Sequence, residues 1–340
     1  MEFNRGINLG GFLSQCVHTE EHYKTFITTA DIEAIAKMGF DHIRVPVDYN
    51  FFETDEGQFV EEHFEMLDKI FICARDCKLN VILDLHKAFG YDFNNAGDAE
   101  KNNLFTSEPL QERFLRLWDK IASTYGKYDF VAFELLNEVV EEDNATLWNE
   151  LIKRAVATIR KQAKDSLIIY GGIQWNSAKT VKLLEKPDDP NIMFTFHFYE
   201  PLLFTHQKAY WVPAMDKNET IYYPESMEYY SEKSKKLGFQ GEVVTVAKSE
   251  KMGVPFFEEL IIDAIEAAKK AGVGLYCGEF GVIDQAPVED TLRWFTDIDT
   301  AFRKHNIGCS VWSYKLMDFG LTDEHYAPIY KDLVKLWNGQ

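Results

Sequence analysis

Short apolar runs alternate with longer amphipathic stretches along the whole chain. Eight of these runs have the length and composition of buried β-strands, and they lie at 6–11, 42–49, 80–87, 129–138, 166–172, 192–200, 274–281 and 308–315. Between them, apolar residues recur at helical spacing in stretches that include 62–78, 109–125, 146–164, 256–271 and 288–305. Eight strand–helix units predict an α/β fold, a closed (β/α)8 TIM barrel.

An open, doubly wound sheet would alternate in the same way, but it normally carries a glycine-rich phosphate loop after an early strand. The early GINLGG segment lacks that spacing. The alternation is interrupted at about 201–254, between the sixth strand and its helix, where seven of the thirty residues at 201–230 are aromatic. We therefore predict one barrel domain over 1–340, with about 201–254 as an inserted subdomain over its functional face.

Composition and charge exclude several classes of partner. The 340 residues carry 36 basic and 55 acidic side chains, a net charge of −19, which repels phosphate backbones and anionic lipid but leaves neutral sugars unaffected. Hydrophobic residues make up 46%, enough for a packed core, and no stretch of about 18 apolar residues could span a bilayer. We expect a globular protein with no nucleic-acid and no membrane partner.

The cysteines and the first residues bear on the compartment. Five cysteines are scattered along the chain, and only Cys73 and Cys77 are close, at a helical spacing that matches no zinc or redox motif. We predict reduced, mostly buried thiols. Glu2 and Arg5 lie where a signal peptide needs an uninterrupted apolar stretch. The expected location is cytoplasmic as numbered, or secreted if a leader was removed before residue 1.

Strand parity selects the candidate site. Alternate residues of each barrel strand point inward, and the functional face lies at the carboxyl ends of the strands. One parity places polar and aromatic side chains inside the barrel, namely Asn8, Arg44, Asp84, His86, Glu134, Glu138, His197, Tyr199, Glu279 and Trp312. Because burying unpaired polar groups is costly, this set predicts a shared hydrogen-bonded network.

Two of these carboxylates suggest a reaction. Glu138 ends the predicted fourth strand and Glu279 lies late in the seventh, so closure of the barrel brings them across one cleft. Two facing carboxylates are the machinery of glycoside hydrolysis. Glu134 lies about 13 Å deeper than Glu138, where we predict a structural ion pair. Asp84 precedes His86 by two residues and is predicted to support it.

The other inward side chains suit a sugar ligand. Arg44 can pair with a carboxylate and lower its pKa, which suits a nucleophile. His86, His197 and Tyr199 offer neutral donors and acceptors for sugar hydroxyls or for the two glutamates, although each alone is compatible with a satisfied core position.

Tryptophans offer apolar faces on which pyranose rings can stack. Trp312 on the eighth predicted strand is the best placed of them. Trp175 and Trp211 follow the fifth and sixth strands, where they either line outer sugar sites or pack within loops.

A metal-dependent barrel is the competing interpretation of inward histidines and aspartates. The chain has no HxH on its first strand, no HExxH, and no third histidine suitably placed beside His86 and His197. We predict no metal ion and no cofactor.

In combination, IRVP, LDLH, LLNE, HFY, GEFG and VWSYK resemble the motifs of glycoside hydrolase family 5, a family of retaining (β/α)8-barrel glycosidases, over nearly the whole chain. GINLGG, LYCGEFG and FTHQKA are similar to the compact endoglucanase C type of cellulase in that family, which also has an insertion after strand six. The resemblance implies Glu138 as acid/base and Glu279 as nucleophile. It implies that the substrate-binding residues are Arg44, His86, Asn137, His197, Tyr199 and Trp312.

The implied activity is that of a retaining endo-β-1,4-glucanase acting on neutral, cellulose-like or mixed-linkage β-glucans. A β-mannanase or glucomannanase on the same scaffold, a non-catalytic sugar-binding barrel and a metal-dependent barrel hydrolase remain alternatives. Lys87 stands where many members have a second histidine, and Phe12 where a tryptophan is frequent. Both departures bear on sugar contacts rather than on the catalytic pair.

Overall fold

The computed structural model of the protein describes residues 2–339. Eight parallel strands form a closed barrel in chain order, with the last strand paired to the first. The strands are β1 Arg5–Asn8, β2 His42–Asp48, β3 Asn80–Lys87, β4 Val131–Glu134, β5 Ile168–Gly171, β6 Ile192–Phe198, β7 Gly274–Phe280 and β8 Gly308–Val311. This confirms the predicted (β/α)8 barrel.

Helices surround the barrel and bury their apolar faces against it. They are α1 Glu20–Thr25, α2 Thr29–Lys37, α3 Tyr49–Phe52, α4 Glu61–Asp76, α5 Glu108–Tyr125, α6 Ala145–Gln162, α7 Leu202–Thr205, α8 Met227–Ser234, α9 Glu242–Thr245, α10 Val254–Ala271, α11 Val288–Lys304 and α12 Tyr330–Trp337. All five helical stretches predicted from spacing are present as α4, α5, α6, α10 and α11. Within the described residues, the connection from β5 to β6 holds a 3₁₀ helix, Ala178–Leu183, in place of an α-helix.

The fourth strand is shorter than predicted. Its regular ladder ends at Glu134, so Glu138 lies four residues beyond the strand rather than at its end. The chain nevertheless stays tied to both neighbouring strands, because Leu135 N donates to Ile169 O at 3.0 Å and Asn137 N donates to Leu85 O at 3.1 Å. Leu135 and Leu136 are both buried, so the apolar run continues past the last paired residue. Trp312 likewise lies one residue beyond β8.

The inside of the barrel has an apolar lower layer and a charged upper layer. Ile82, Ala132, Ile169 and Tyr276 pack together at the amino-terminal end, where Phe3 closes the barrel. Two residues further along β3 and β4 on the same inward face, Asp84 pairs in register with Glu134. The lower layer supports the upper one from below, and the charged groups face the carboxyl end of the barrel.

The segment between β6 and α10 contains α7, α8 and α9 and occupies the place predicted for the insertion. It is held to the barrel through Tyr223, whose backbone N–H donates to Asp290 at 3.0 Å and whose hydroxyl donates to Asp297 at 2.6 Å, both on α11. These two hydrogen bonds fix Tyr223 of the segment against α11.

No helix within residues 2–339 is long and apolar enough to cross a membrane. The five cysteines are free thiols. Cys277 and Cys309 are fully buried, whereas the other three are half-buried.

Candidate active site

A buried arginine organises the upper layer of the barrel. The Arg44 guanidinium donates to both oxygens of Glu134, from Nε at 2.7 Å and from Nη2 at 2.9 Å. It also donates from Nη1 to Glu279 Oε1 at 2.8 Å and lies 3.1 Å from Asp84 Oδ2. One cation thus neutralises carboxylates from three strands, and the ion pair predicted for Glu134 is present.

Two asparagines take the remaining donors of Arg44. Nη1 donates to Asn8 Oδ1 at 2.9 Å and Nη2 donates to Asn137 Oδ1 at 2.8 Å. Every guanidinium N–H therefore has an acceptor within the protein. Because Arg44 has no exposed surface and does not line the cleft, the structure places it beneath the site, where it fixes Glu279 and Asn137.

We expect Arg44→Met to cost about 3–5 kcal/mol of unfolding free energy, because it leaves several buried carboxylates without their cation. We also expect kcat/KM of the folded fraction to fall about a hundredfold, since Glu279 loses the charge that favours its ionised form. Urea unfolding measures the first effect, and initial rates on soluble β-glucan, the substrate that the resemblance of the sequence implies, measure the second.

Arg5→Met is the matched control, because Arg5 pairs with Asp299 at 2.9 Å at the opposite end of the barrel. It should lose stability while the folded fraction keeps kcat/KM within about threefold. An Arg44→Met enzyme with wild-type kcat/KM would contradict the positioning role.

Glu138 and Glu279 face each other across His197. The His197 imidazole contacts Glu138 Oε1 through Nδ1 at 2.7 Å, and the same nitrogen lies 3.6 Å from Glu279 Oε2. One ligand atom from each of the three side chains lies within 4.8 Å of the others. The structure therefore brings together two carboxylates that are 141 residues apart in the chain.

Protonation differs between the two glutamates. Burial and the nearby charge of Glu279 raise the pKa of Glu138 well above its ordinary value. Burial also raises the pKa of Glu279, but the Arg44 cation opposes this rise, and the Tyr199 hydroxyl, donating to Oε2 at 3.0 Å, opposes it further. Glu138 is thus the carboxyl that keeps a shared proton, and Glu279 is the one that ionises first.

His86 is held as a neutral donor–acceptor. Its Nδ1 lies 2.7 Å from Asp84 Oδ2, and its Nε2 lies 3.3 Å from the Gln15 amide. Burial lowers the pKa of His86 to about 4 and raises the pKa of Asp84 to about 7. Asp84 fixes the ring, as predicted, and the other edge of the imidazole faces the cleft.

Above these groups opens a cleft of about 760 Å³. The Trp312 indole lies nearly parallel to the His86 ring, with centroids 5.9 Å apart and an angle of 7°. Trp175 and Trp211, for which the sequence left two interpretations, both line the cleft. Of the catalytic and substrate-binding residues that the resemblance implies, all except Arg44 line the cleft, namely His86, Asn137, Glu138, His197, Tyr199, Glu279 and Trp312.

Loop residues that sequence reasoning did not select complete the walls. They include Gln15, Phe93, Glu200, Phe239 and Phe319. These side chains lie beyond the strands, where periodicity carries no information about direction. The aromatic content of the insertion was the available signal for Phe239, and the resemblance at HFY ended one residue before Glu200.

Among residues 2–339, Glu138, His197 and Glu279 also form a group of side chains that could hold a metal ion by distance alone. The Arg44 guanidinium, 2.8 Å from Glu279, already supplies the positive charge that such an ion would bring. His197 Nδ1 lies within hydrogen-bonding distance of Glu138. This donor set fits proton sharing between two carboxyls better than coordination of a cation.

A closed eight-stranded parallel barrel with two carboxylates this close at the carboxyl ends of its strands has the architecture of a barrel glycoside hydrolase. The family described as Cellulase (glycosyl hydrolase family 5) matches residues 4–318. The chain therefore belongs to glycosyl hydrolase family 5 and is a retaining glycoside hydrolase.

Similar proteins cover nearly the whole chain. Endoglucanase C of Acetivibrio thermocellus is 38% identical over 344 residues, spanning 99% of this chain and 98% of the relative. Cellodextrinase A of Ruminococcus flavefaciens is 39% identical over 304 residues, spanning 89% and 83%. The structure of Thermotoga maritima Cel5A in complex with cellobiose superposes with a TM-score of 0.75 at 25% identity, covering 98% of this chain and 97% of that one.

Proposed function

We propose that this protein is a retaining endo-β-1,4-glucanase that hydrolyses internal bonds of neutral β-glucans by double displacement, with Glu279 as nucleophile and Glu138 as acid/base. The single observation that carries the mechanism is the spacing of the two carboxylates. One oxygen of Glu138 lies within 4.8 Å of one oxygen of Glu279, whereas inverting enzymes need carboxyl groups roughly 6.5–9.5 Å apart to admit a water molecule between base and sugar.

In the first step, a Glu279 carboxylate oxygen bonds to the anomeric carbon while the bond from that carbon to the glycosidic oxygen breaks. Glu138 gives its proton to the departing oxygen. The raised pKa of Glu138 keeps that proton available at neutral pH, and Arg44 holds Glu279 in the ionised form that can attack. The products are a shortened glucan and a glycosyl ester on Glu279.

In the second step, Glu138 is a carboxylate and acts as base. It removes a proton from water as the water oxygen bonds to the anomeric carbon and the ester bond to Glu279 breaks. Loss of the negative charge on Glu279 in the ester lowers the pKa of Glu138, because the two charges no longer repel each other. Two inversions return the sugar to its original configuration.

The remaining groups serve as substrate contacts in this proposal. Asn137, held by Arg44 at 2.8 Å, binds the 2-hydroxyl of the reacting sugar, where the hydrogen bond strengthens in the transition state. His197 supports Glu138, and Tyr199 orients Glu279. His86 contributes a neutral ring edge for a sugar hydroxyl, and Trp312 supplies an apolar face for the ring.

The substrate is tested by initial rates of reducing-end release from carboxymethyl-cellulose, barley-type mixed-linkage glucan, glucomannan and pure mannan. We expect carboxymethyl-cellulose and mixed-linkage glucan to be hydrolysed. The viscosity of their solutions should fall steeply for each bond broken, because cleavage of internal bonds shortens the chains quickly. The relatives named above do not favour a mannanase. Activity mainly on mannan would keep the mechanism and change the substrate, and activity on none of the four would indicate a non-catalytic sugar-binding barrel.

A further inference from the structure

The catalytic pair divides the cleft into two sides. Around the barrel, β8, β1, β2 and β3 lie between β7 and β4 on one arc, and β5 and β6 lie between them on the other. Trp312 and His86, which the proposed function assigns to sugar binding, belong to the first arc, and we place there the sugar that Glu279 attacks. The sugar that leaves must therefore lie on the arc of β5 and β6.

The side chains on this second arc that line the cleft and have no part in the mechanism above include Trp175, Lys179, Glu200 and Phe239, and we call these four the leaving-side wall. The Lys179 ammonium lies 4.7 Å from the centre of the Phe239 ring. Phe239 is 49% exposed, so its ring presents an accessible apolar surface beside the cleft. The wall thus combines cationic, anionic and aromatic groups.

Glu200 supplies the carboxyl group of this wall. One carboxylate oxygen, Oε2, accepts from Leu202 N at 3.1 Å, and the other accepts no hydrogen bond from any of residues 2–339. Burial raises the pKa of Glu200 to about 7, and the nearby Lys179 opposes the rise. The second carboxyl oxygen is therefore available to accept a hydrogen bond from a ligand in the cleft.

The backbone fixes Trp175 of the wall to the segment that carries Glu138. Gln174, Trp175 and Asn176 have positive φ angles of 53°, 56° and 54°, a region that side chains other than glycine adopt at a cost. The Gln174 and Trp175 N–H groups donate to the carbonyls at 140 and 139, each at 3.1 Å. These carbonyls follow Glu138 directly, so the strained turn holds Trp175 against the acid/base segment.

We propose that Glu200, together with Lys179, binds hydroxyl groups of the sugar on the leaving side of the scissile bond and determines the preference for oligosaccharide leaving groups. This inference rests on the proposed function and assigns a binding role to residues outside its mechanism. A carboxylate accepts from sugar hydroxyls, an ammonium donates to them, and the Trp175 and Phe239 rings offer stacking faces for the apolar side of a pyranose.

The test compares two substrates on the same enzyme preparation. Cellopentaose must place glucose units on the leaving side, whereas p-nitrophenyl β-cellobioside places only an aryl group there. In Glu200→Gln, the amide oxygen can still accept from Leu202 N while an NH₂ replaces the free acceptor. We expect the ratio of kcat/KM for cellopentaose to kcat/KM for the aryl glycoside to fall at least tenfold.

This ratio does not depend on the fraction of folded enzyme, so a destabilised variant still gives an answer. Glu232→Gln makes the same change in charge at an exposed site in α8 and should leave the ratio at the wild-type value. An unchanged ratio in Glu200→Gln overturns the inference, whether both rates fall together or neither changes. Failure of the wild type on both substrates would instead overturn the proposed function.

Discussion

Glu279→Gln is expected to reduce the rate of reducing-end release from soluble β-glucan at least a thousandfold. The amide has nearly the shape of the carboxylate. Its oxygen can still accept the hydrogen bond that Arg44 Nη1 donates to Glu279 Oε1 at 2.8 Å in the wild type. An amide carries no charge to attack the anomeric carbon, so the glycosyl ester does not form. The loss corresponds to about 4 kcal/mol of transition-state stabilisation, at about 1.4 kcal/mol per tenfold.

Azide distinguishes loss of the nucleophile from general damage. In Glu279→Ala, a small anion can occupy the space of the missing carboxylate and attack the anomeric carbon once, giving a product of inverted configuration. We expect azide to restore part of the rate on an activated aryl cellobioside and to yield the α-glycosyl azide, which NMR identifies. A Glu279→Gln enzyme within tenfold of the wild-type rate would rule Glu279 out as nucleophile.

The barrel could be predicted from the sequence because a parallel strand buried on both faces gives a short apolar run, and eight such runs alternate with helical spacing. The end of β4 could not be predicted in the same way. Leu135 and Leu136 are both buried although the ladder has ended, so the apolar pattern does not mark the last paired residue. The sequence also did not show that the connection after β5 lacks an α-helix. The stretch 178–183 is too short for residue spacing to distinguish a 3₁₀ helix from an α-helix.

Within the site, parity predicted which strand residues point inward, because side chains alternate with a period of two. Parity did not predict that every N–H group of Arg44 donates to an acceptor within the protein. These contacts depend on side-chain rotamers and on how far five strands are shifted relative to one another along the barrel axis. The leaving-side wall could not be predicted from the sequence for another reason. The turn that carries Trp175 has positive φ angles at Gln174, Trp175 and Asn176, and none of these residues is a glycine that would indicate such angles in the sequence. Only tertiary contacts specify this turn.

Glu138→Ala should affect good and poor leaving groups differently. An alkoxide leaving from a glucan chain needs a proton, so we expect a fall of about a hundred- to a thousandfold on soluble β-glucan. A dinitrophenolate leaves without protonation, so the first step on 2,4-dinitrophenyl β-cellobioside should stay fast while the second step, which lacks its base, becomes slow. Stopped-flow absorbance should then show a burst of dinitrophenol, and azide should accelerate turnover and give the β-glycosyl azide.

The pH dependence provides an independent check on Glu138. In the wild type, kcat/KM on β-glucan should fall as pH rises through the raised pKa of Glu138, because the acid is lost, and this alkaline limb should vanish in Glu138→Ala. Glu142→Gln removes an exposed carboxylate four residues away and should retain both the limb and the wild-type rate. If Glu138→Ala lost equal rate on β-glucan and on the dinitrophenyl glycoside and kept the alkaline limb, the acid would be a group other than Glu138. The dependence on the leaving group therefore identifies the proton donor, whereas a simple loss of activity would not.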